Sequence, residues 1–471
     1  MKVIIENIGV FKYAEYELAD LTIICGKNNT GKTYATYALY GFIDFFRRGY
    51  SIKIPQKEIT ALLEKGTLTL PIDISQDAID KYIDNACKMY QRFLPKIFSA
   101  QEKYFENSRF EVKVDVSEII MPEKFEYGYR TNKKDLLQIV KPDNRNELLI
   151  SLFIKGNEVE ENTSLRVNLS KIIGDAVKRL LFNDIFKECF IASAERTGAV
   201  IFKEELNFQK NTILREVATA DEIHIEDIVD KIYNTNYALP VRRNIDFIRN
   251  LESISKEDGE LNKAYPLLID TFNSIVGGEY KISKDGVYYC PAASKGTKLT
   301  IGESASSVRS LLDIYFYLKH VAKPGHMLMI DEPELNLHPD SQRKLARLLA
   351  LLVNLGVRVY ITTHSDYIIK EFNTLLMLYT RKENGKIKKI MTEKGYAEQE
   401  LLSSNKVKMF ISEKRNVLLP GNVRKTKIQS LIPAKIDPDF GIEAISFDDT
   451  IREMNSIQES IMFSSYGHTD A

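Results

Sequence analysis

Residues 26–33 read Gly26-Lys27-Asn28-Asn29-Thr30-Gly31-Lys32-Thr33, which fills every fixed position of the pattern GxxxxGK[ST]. The preceding segment, Leu21-Thr22-Ile23-Ile24-Cys25, is a mostly apolar run that suits a buried strand. The following segment, residues 33–46, is rich in Ala, Tyr and Leu and reads as a helix. A loop of this kind between strand and helix must turn so that consecutive N–H groups converge on one anion. Gly26 and Gly31 permit the backbone angles required. Asn28, Asn29 and Thr30 complete the cradle between them, and the helix N-terminus adds a dipole that favours phosphate. Lys32 is expected to reach the β- and γ-phosphates of ATP, and Thr33 to give its hydroxyl to Mg²⁺.

A phosphate loop needs a carboxylate to help hold magnesium and a group to activate water. The run His326-Met327-Leu328-Met329-Ile330-Asp331-Glu332-Pro333-Glu334 offers both. Asp331 closes an apolar strand, at the end where ligands gather in open α/β sheets, and is expected to bind Mg²⁺ directly or through water. Glu332, pointing the other way, is expected to polarise the attacking water. One strand later comes Thr362-Thr363-His364-Ser365-Asp366, where a neutral imidazole at His364 could donate to the γ-phosphate.

The remaining text is ordinary for a globular chain. Lys+Arg and Asp+Glu both number 65 in 471 residues, which excludes a strongly basic nucleic-acid packager. Four widely spaced cysteines without CxxC argue against a disulfide framework or structural zinc and suit a reducing cytosol. No export segment or membrane span is expected: Glu6 interrupts the N-terminus, and the apolar stretch at 345–361 is broken by Arg347, Asn354 and Arg358. Localisation is therefore expected to be cytoplasmic. Strands are expected at 2–5, 15–18, 68–70, 110–116, 148–154, 164–169, 189–192, 327–330 and 357–361, and helices at 59–65 and 76–98. Residues 200–275 read as a charged helical arm, Asp285-Gly286 as a hairpin turn, and the last seventy or so residues as less regular text containing a helix at 451–462.

The order of phosphate loop, distant Asp-Glu-Pro and histidine after the next strand resembles the ABC-type ATPase core. The separation of 299 positions from Lys32 to Asp331 exceeds what a compact transporter domain would hold, and Asp331–Asp340, reading Asp-Glu-Pro-Glu-Leu-Asn-Leu-His-Pro-Asp, is similar to the branch containing RecF, SMC-like and OLD-type ATPases. That resemblance implies an α/β fold, an ABC-type core of mixed sheet with flanking helices, interrupted by an antiparallel β lobe and a helical arm. Together with the strand and helix patterns read above for the lobe and the arm, it divides the chain into core at 1–50, lobe at 51–185, a core segment at 186–200, arm at 201–275, core at 276–400 and a tail at 401–471 open to partner docking. It further implies that the ATP site closes only when a second protomer brings a signature serine. Ser306-Ser307, 24 residues before Asp331 when counted from Ser307, resembles the Ser-Ser-Gly variant, with Val308 where glycine often stands.

Ser193-Ala194-Glu195-Arg196-Thr197-Gly198 resembles a segment of anti-phage defence ATPases such as those of the PARIS, Septu and retron systems. Arg196 could face the nucleotide, a lobe interface or a structural salt bridge. The resemblance implies an ATP-hydrolysing, magnesium-dependent defence subunit that forms a head-to-tail dimer or higher homo-oligomer, answers a phage-derived trigger and controls a separate effector encoded nearby. The 71 residues after position 400 are too few for a TOPRIM nuclease, so the effector is expected on another chain. The alternative is a RecF- or SMC-like maintenance ATPase that binds duplex DNA, with Lys178, Arg179, Arg242, Arg243 and Arg249 as available cations.

Overall fold

The computed structural model describes residues 1–131, 134–153, 163–201, 237–283, 286–294, 296–442 and 453–461. Residues 202–236 of the expected arm, the turn residue Asp285 and parts of the tail lie outside the described residues.

In chain order, β1 (Lys2–Ile8) and β2 (Phe11–Glu17) form a hairpin, and the fully buried β3 (Leu21–Cys25) feeds α1 (Lys32–Arg48). α1 ends on Arg47 and Arg48, cations that suit the negative end of a helix. Then come α2 (Gln56–Lys65), β4 (Thr67–Pro71), α3 (Gln76–Gln91), α4 (Leu94–Phe98) and β5 (Arg109–Lys113). β6 (Phe125–Thr131), β7 (Lys134–Lys141), β8 (Glu147–Leu152), α5 (Thr163–Phe182) and β9 (Cys189–Ala192) follow. After α6 (Arg196–Ile201), α7 (Leu239–Arg249) and α8 (Leu267–Val276), β10 (Gly278–Ser283) and β11 (Gly286–Pro291) pair as the expected hairpin. The rest alternates: α9 (Ser306–His320), β13 (Met327–Asp331), α10 (Pro339–Asn354), β14 (Arg358–Thr363) and α11 (Asp366–Arg381), with the two-residue β12 (Leu299–Thr300) ahead of α9. Two long strands, β15 (Val407–Leu418) and β16 (Lys425–Pro433), complete it.

The expected mixed sheet with flanking helices is present. Its order is β16-β15-β3-β14-β13-β9, parallel except for β16, which runs antiparallel to β15. Strands covered on both faces carry apolar residues at successive positions, each side chain entering the opposite core. Ile24, Met329 and Tyr360 enter one cluster, built around Phe42, Phe46, Tyr90, Phe110 and Phe186. Their neighbours Ile23, Ile330 and Ile361 enter the other, with Leu345, Leu349, Phe372 and Tyr315. The antiparallel lobe is a separate sheet of order β4-β8-β7-β6.

Three expectations change. Residues 164–169 belong to α5, not a strand, because the apolar positions continue as Leu169, Ile172, Ile173, Ala176, Val177, Leu180 and Leu181, all buried at helical spacing. β5 joins β1 in the order β2-β1-β5 rather than the lobe sheet, since alternation identifies a strand but not its neighbour. The region after 400 is not irregular over 407–433: β15 lies directly against β3 and places these residues in the central sheet. Residues 453–461 are helical, as expected of the tail.

Candidate functional site

The glycine-rich loop leaves β3 with Gly26 at φ 151, passes Asn29 at φ 62 and enters α1 through Gly31 at φ 97. A Cβ on Gly26 would lie 2.7 Å from the Ser412 carbonyl oxygen of β15, so a side chain there is excluded by both space and angle. α1 has no side-chain cap at its N-terminus, which leaves its first N–H groups for another acceptor. Lys32 is buried, and its Nζ donates to the carbonyls of Gly26 at 2.9 Å and Lys27 at 3.0 Å. An ammonium has three donors, so one remains for an anion. Thr30 Oγ1 bonds Lys27 O at 2.8 Å, and Asn28 and Asn29 stand exposed at the mouth of the loop.

Across the sheet, Ile24, Thr362 and Asp331 stand in register on β3, β14 and β13. β14 therefore separates the strand that feeds the loop from the strand that carries the carboxylates. The Asp331 carboxylate is wholly buried. Thr33 Oγ1 donates to its Oδ2 at 3.0 Å, and the Thr362 hydroxyl donates to Oδ1. Burial pushes Asp331 up from an ordinary 3.8 to about 6, against the lowering effect of these two hydroxyls. Glu332 adopts φ 54, a left-handed conformation that non-glycine residues rarely take. Its N–H donates to Thr362 O at 3.1 Å. His364 follows β14, with Nδ1 3.0 Å from Glu334 Oε1 and 3.7 Å from Glu332 Oε1.

Sequence order thus brings the loop, Asp331, Glu332 and His364 to one end of the parallel sheet. It does not bring Ser306 and Ser307 there. They open α9, which packs on α6, α7, α8 and β9. Among the described residues neither serine side chain bonds to the loop; Ser306 is exposed and Ser307 half-buried.

A family profile described as AAA ATPase domain matches residues 1–369. The chain belongs to the AAA ATPase domain family. Solved structures aligned with this member include the SMC head domain from Thermotoga maritima, at 10% identity over 92% of this chain and 98% of that one, TM-score 0.28. The Smc head domain with an extended coiled coil bound to the C-terminal domain of ScpA, from Pyrococcus furiosus, aligns at 11% identity over 97% and 98%, TM-score 0.32. No curated protein matches the chain.

Two supports of this AAA ATPase domain, Ser412 and Tyr37, escaped sequence reading, and a third, Arg196, was singled out there without its carbonyl partners. Arg196 is fully buried and makes no salt bridge among the described residues. Its Nε donates to Ser310 O at 2.7 Å, Nη1 to Ser193 O at 2.9 Å and Asp331 O at 2.8 Å, and Nη2 to Glu332 O at 3.0 Å. It ties the start of α9 to the Asp331–Glu332 backbone and holds Glu332 in its unusual conformation. Burial lowers its pKa, and the nearby charges of Asp313, Asp331, Glu334 and Glu332 work the other way. Ser412 Oγ donates to Thr30 O at 2.7 Å and accepts from Gln429 Nε2 at 3.1 Å, so β15 and β16 brace the loop. Tyr37, on α1, donates to Glu195 Oε2 at 2.8 Å. The signal for Ser412 was the apolar run Val407-Lys408-Met409-Phe410-Ile411; nothing in the text around Arg196 announced four carbonyl partners.

Magnesium with nucleotide suits these residues. A hydroxyl and a carboxylate oxygen lie side by side next to an uncapped helix start and a lysine with a spare donor. Among the described residues no group of three or more His, Cys, Asp or Glu could hold a metal. Mg²⁺ takes one or two protein ligands and completes its shell with phosphate and water, so Thr33 and Asp331 would be enough to hold it. The described residues also contain no helix long and apolar enough to cross a membrane.

Proposed function

We propose that the chain binds and hydrolyses ATP with Mg²⁺, closing each nucleotide between two copies of itself, and uses that cycle to control a separate effector in a bacterial anti-phage defence system. The observation that carries the ATPase reading is Thr33 Oγ1 at 3.0 Å from Asp331 Oδ2, beside Lys32. In this reading the N–H groups of residues 28–33 and the Lys32 ammonium bind the β- and γ-phosphates. Thr33 and Asp331 would hold Mg²⁺, which would supply charge neutralisation on the transferring phosphoryl group. Glu332 orients and polarises the attacking water, and His364 contacts the terminal phosphoryl from the adjoining strand. Ser306 or Ser307, at the uncapped start of α9, completes the site of the partner protomer.

The defence assignment rests on the Glu334-Leu335-Asn336-Leu337-His338-Pro339 and Ala194-Glu195-Arg196-Thr197-Gly198 segments. A phage-derived trigger would act on the closed dimer, and a nuclease encoded nearby is the proposed effector. The duplex-DNA alternative draws less support from the cations available to it. Lys178 is buried and pairs with Asp175, Arg243 pairs with Asp44 at 2.8 Å, Arg249 pairs with Asp246, and the Arg179 guanidinium lies over the Tyr127 ring.

The test is light scattering with Mg²⁺ and ATP on the wild type and on Glu332→Gln. The substituted protein should bind ATP, remain a stable dimer and release no phosphate. A monomer at saturating ATP in both proteins would refute closure between copies. Wild-type turnover in Glu332→Gln would remove Glu332 from its role. Co-purification with the neighbouring gene's product, without affinity for duplex DNA at low salt, would support the effector reading over the DNA one.

A further inference from the structure

Glu334 lies beyond the Asp331–Glu332 pair, and the mechanism above gives it no task. Yet its carboxylate is almost wholly buried, where an isolated charge is unfavourable. Its Oε1 is the meeting point of three groups from the end of β14: the His364 N–H donates to it at 2.7 Å, the Thr363 hydroxyl donates at 2.9 Å, and His364 Nδ1 lies at 3.0 Å. Its Oε2 has no partner among the described residues. The Thr363 hydroxyl accepts from the Ser365 N–H, which commits its own proton to Glu334. Oε1 thus already receives an N–H and an O–H, and a ring nitrogen stands 3.0 Å from it as well.

We propose that Glu334 is a positioning residue for the ATPase site: it holds the His364 ring by Nδ1–H, which fixes the tautomer and makes Nε2 the nitrogen presented to the terminal phosphoryl group. This rests on the reading of His364 given above and refines it. A neutral ring that donates through Nδ1 carries a lone pair, not a proton, at Nε2. It accepts a hydrogen bond there, from the attacking water or a protonated oxygen, and donates to phosphate only after taking up a second proton. The neutral imidazole donating to phosphate, which the sequence suggested, is a different species from the one this geometry selects. Glu332 Oε1, 3.7 Å from the same Nδ1, is the other charged group facing the ring; the Thr363 and Ser365 hydroxyls are the nearby neutral ones. The ring is 42% exposed, so Nε2 is free to meet a ligand while Nδ1 is tethered.

The experiment is ¹⁵N NMR of histidine-labelled full-length protein, with the His364 signals identified by their loss in His364→Gln. The expected wild-type pattern is protonated Nδ1 with unprotonated Nε2 at neutral pH. In Glu334→Gln the pattern should shift towards the Nε2–H tautomer. The same substitution should lower kcat by about 10–100-fold and leave KM for ATP nearly unchanged, the range typical when the partner that orients a functional histidine is lost. Glu334→Asp should recover part of the Nδ1–H pattern and part of kcat. A wild-type His364 spectrum showing Nε2–H overturns the proposal without any variant. So does Glu334→Gln with ring pattern and kcat both unchanged. Wild-type turnover in His364→Gln would defeat the role of His364 itself, a separate result, because the ring spectrum reads the Glu334 contact independently of turnover.

Discussion

Thr33 and Asp331 are 298 residues apart in the chain and 3.0 Å apart in space, hydroxyl to carboxylate. β14 lies between β13, which carries Asp331, and β3, which leads into the helix of Thr33, and its Thr362 bonds the other oxygen of the same carboxylate. Both Asp331 oxygens are therefore oriented from the protein side.

A titration prediction follows for Asp331. Burial raises it to about 6 in the folded chain, against 3.8 when exposed. Between about pH 4 and 6 the folded protein holds more protons than the unfolded chain. Its contribution is thus fully present below pH 4 and is lost as pH rises through 6. Asp313, likewise buried and raised to about 6, acts in the same direction. Asp331→Asn should show a shallower fall in melting temperature over this window than wild type, measured without nucleotide. Parallel curves would contradict the assignment.

Arg196 should be intolerant of change. Arg196→Met leaves four backbone carbonyls without their donor and removes the balancing charge beside Asp313 and Glu334. The expected loss is about 3–5 kcal/mol by denaturant unfolding. Arg196→Lys should recover little, since a point ammonium cannot reproduce the planar fork. A loss below about 1 kcal/mol for Arg196→Met would show that the clamp is dispensable.

Much of this site was legible in the text and part was not. The loop announced itself because phosphate cradling forces glycines to fixed places, and β13 and β14 because strands buried on both faces must be continuously apolar. Arg196 did not, because its partners are carbonyls of residues 193, 310, 331 and 332, a set that only the folded chain assembles. β15 was obscured by Lys408, Glu413, Lys414 and Arg415, which interrupt its apolar run as it leaves the covered part of the sheet. α5 was misread because its first residues alternate like a strand before the helical spacing takes over.

Bracing of the loop can be tested at Ser412. Ser412→Ala removes the donor to Thr30 O and the acceptor for Gln429. The expected stability loss is about 1 kcal/mol, with weaker ATP binding by calorimetry. Gly26→Ala, whose Cβ would meet the Ser412 carbonyl oxygen at 2.7 Å, should abolish ATP binding even where the protein still folds. Wild-type affinity in Gly26→Ala would contradict the close packing of β15 on the loop.

Closure between copies predicts complementation. Lys32→Ala and Ser306→Arg should each be inactive alone. Mixed in equal amounts, they should regain about a quarter of wild-type turnover, because half the dimers are mixed and each of those holds one intact composite site. No recovery, with mixed dimers demonstrated by mass, would place the active serine elsewhere.

The position of β15 also sets an order of events during synthesis. Thr30 emerges from the ribosome 382 residues before the serine that braces its carbonyl. At roughly 5–20 residues per second, that interval is on the order of 20–80 seconds. Through that time the nascent chain carries a phosphate loop whose supporting strand does not yet exist, and until β14 is made neither edge of β3 has its partner. A chain cut short before residue 407 would carry the complete loop motif yet lack the wall that shapes it.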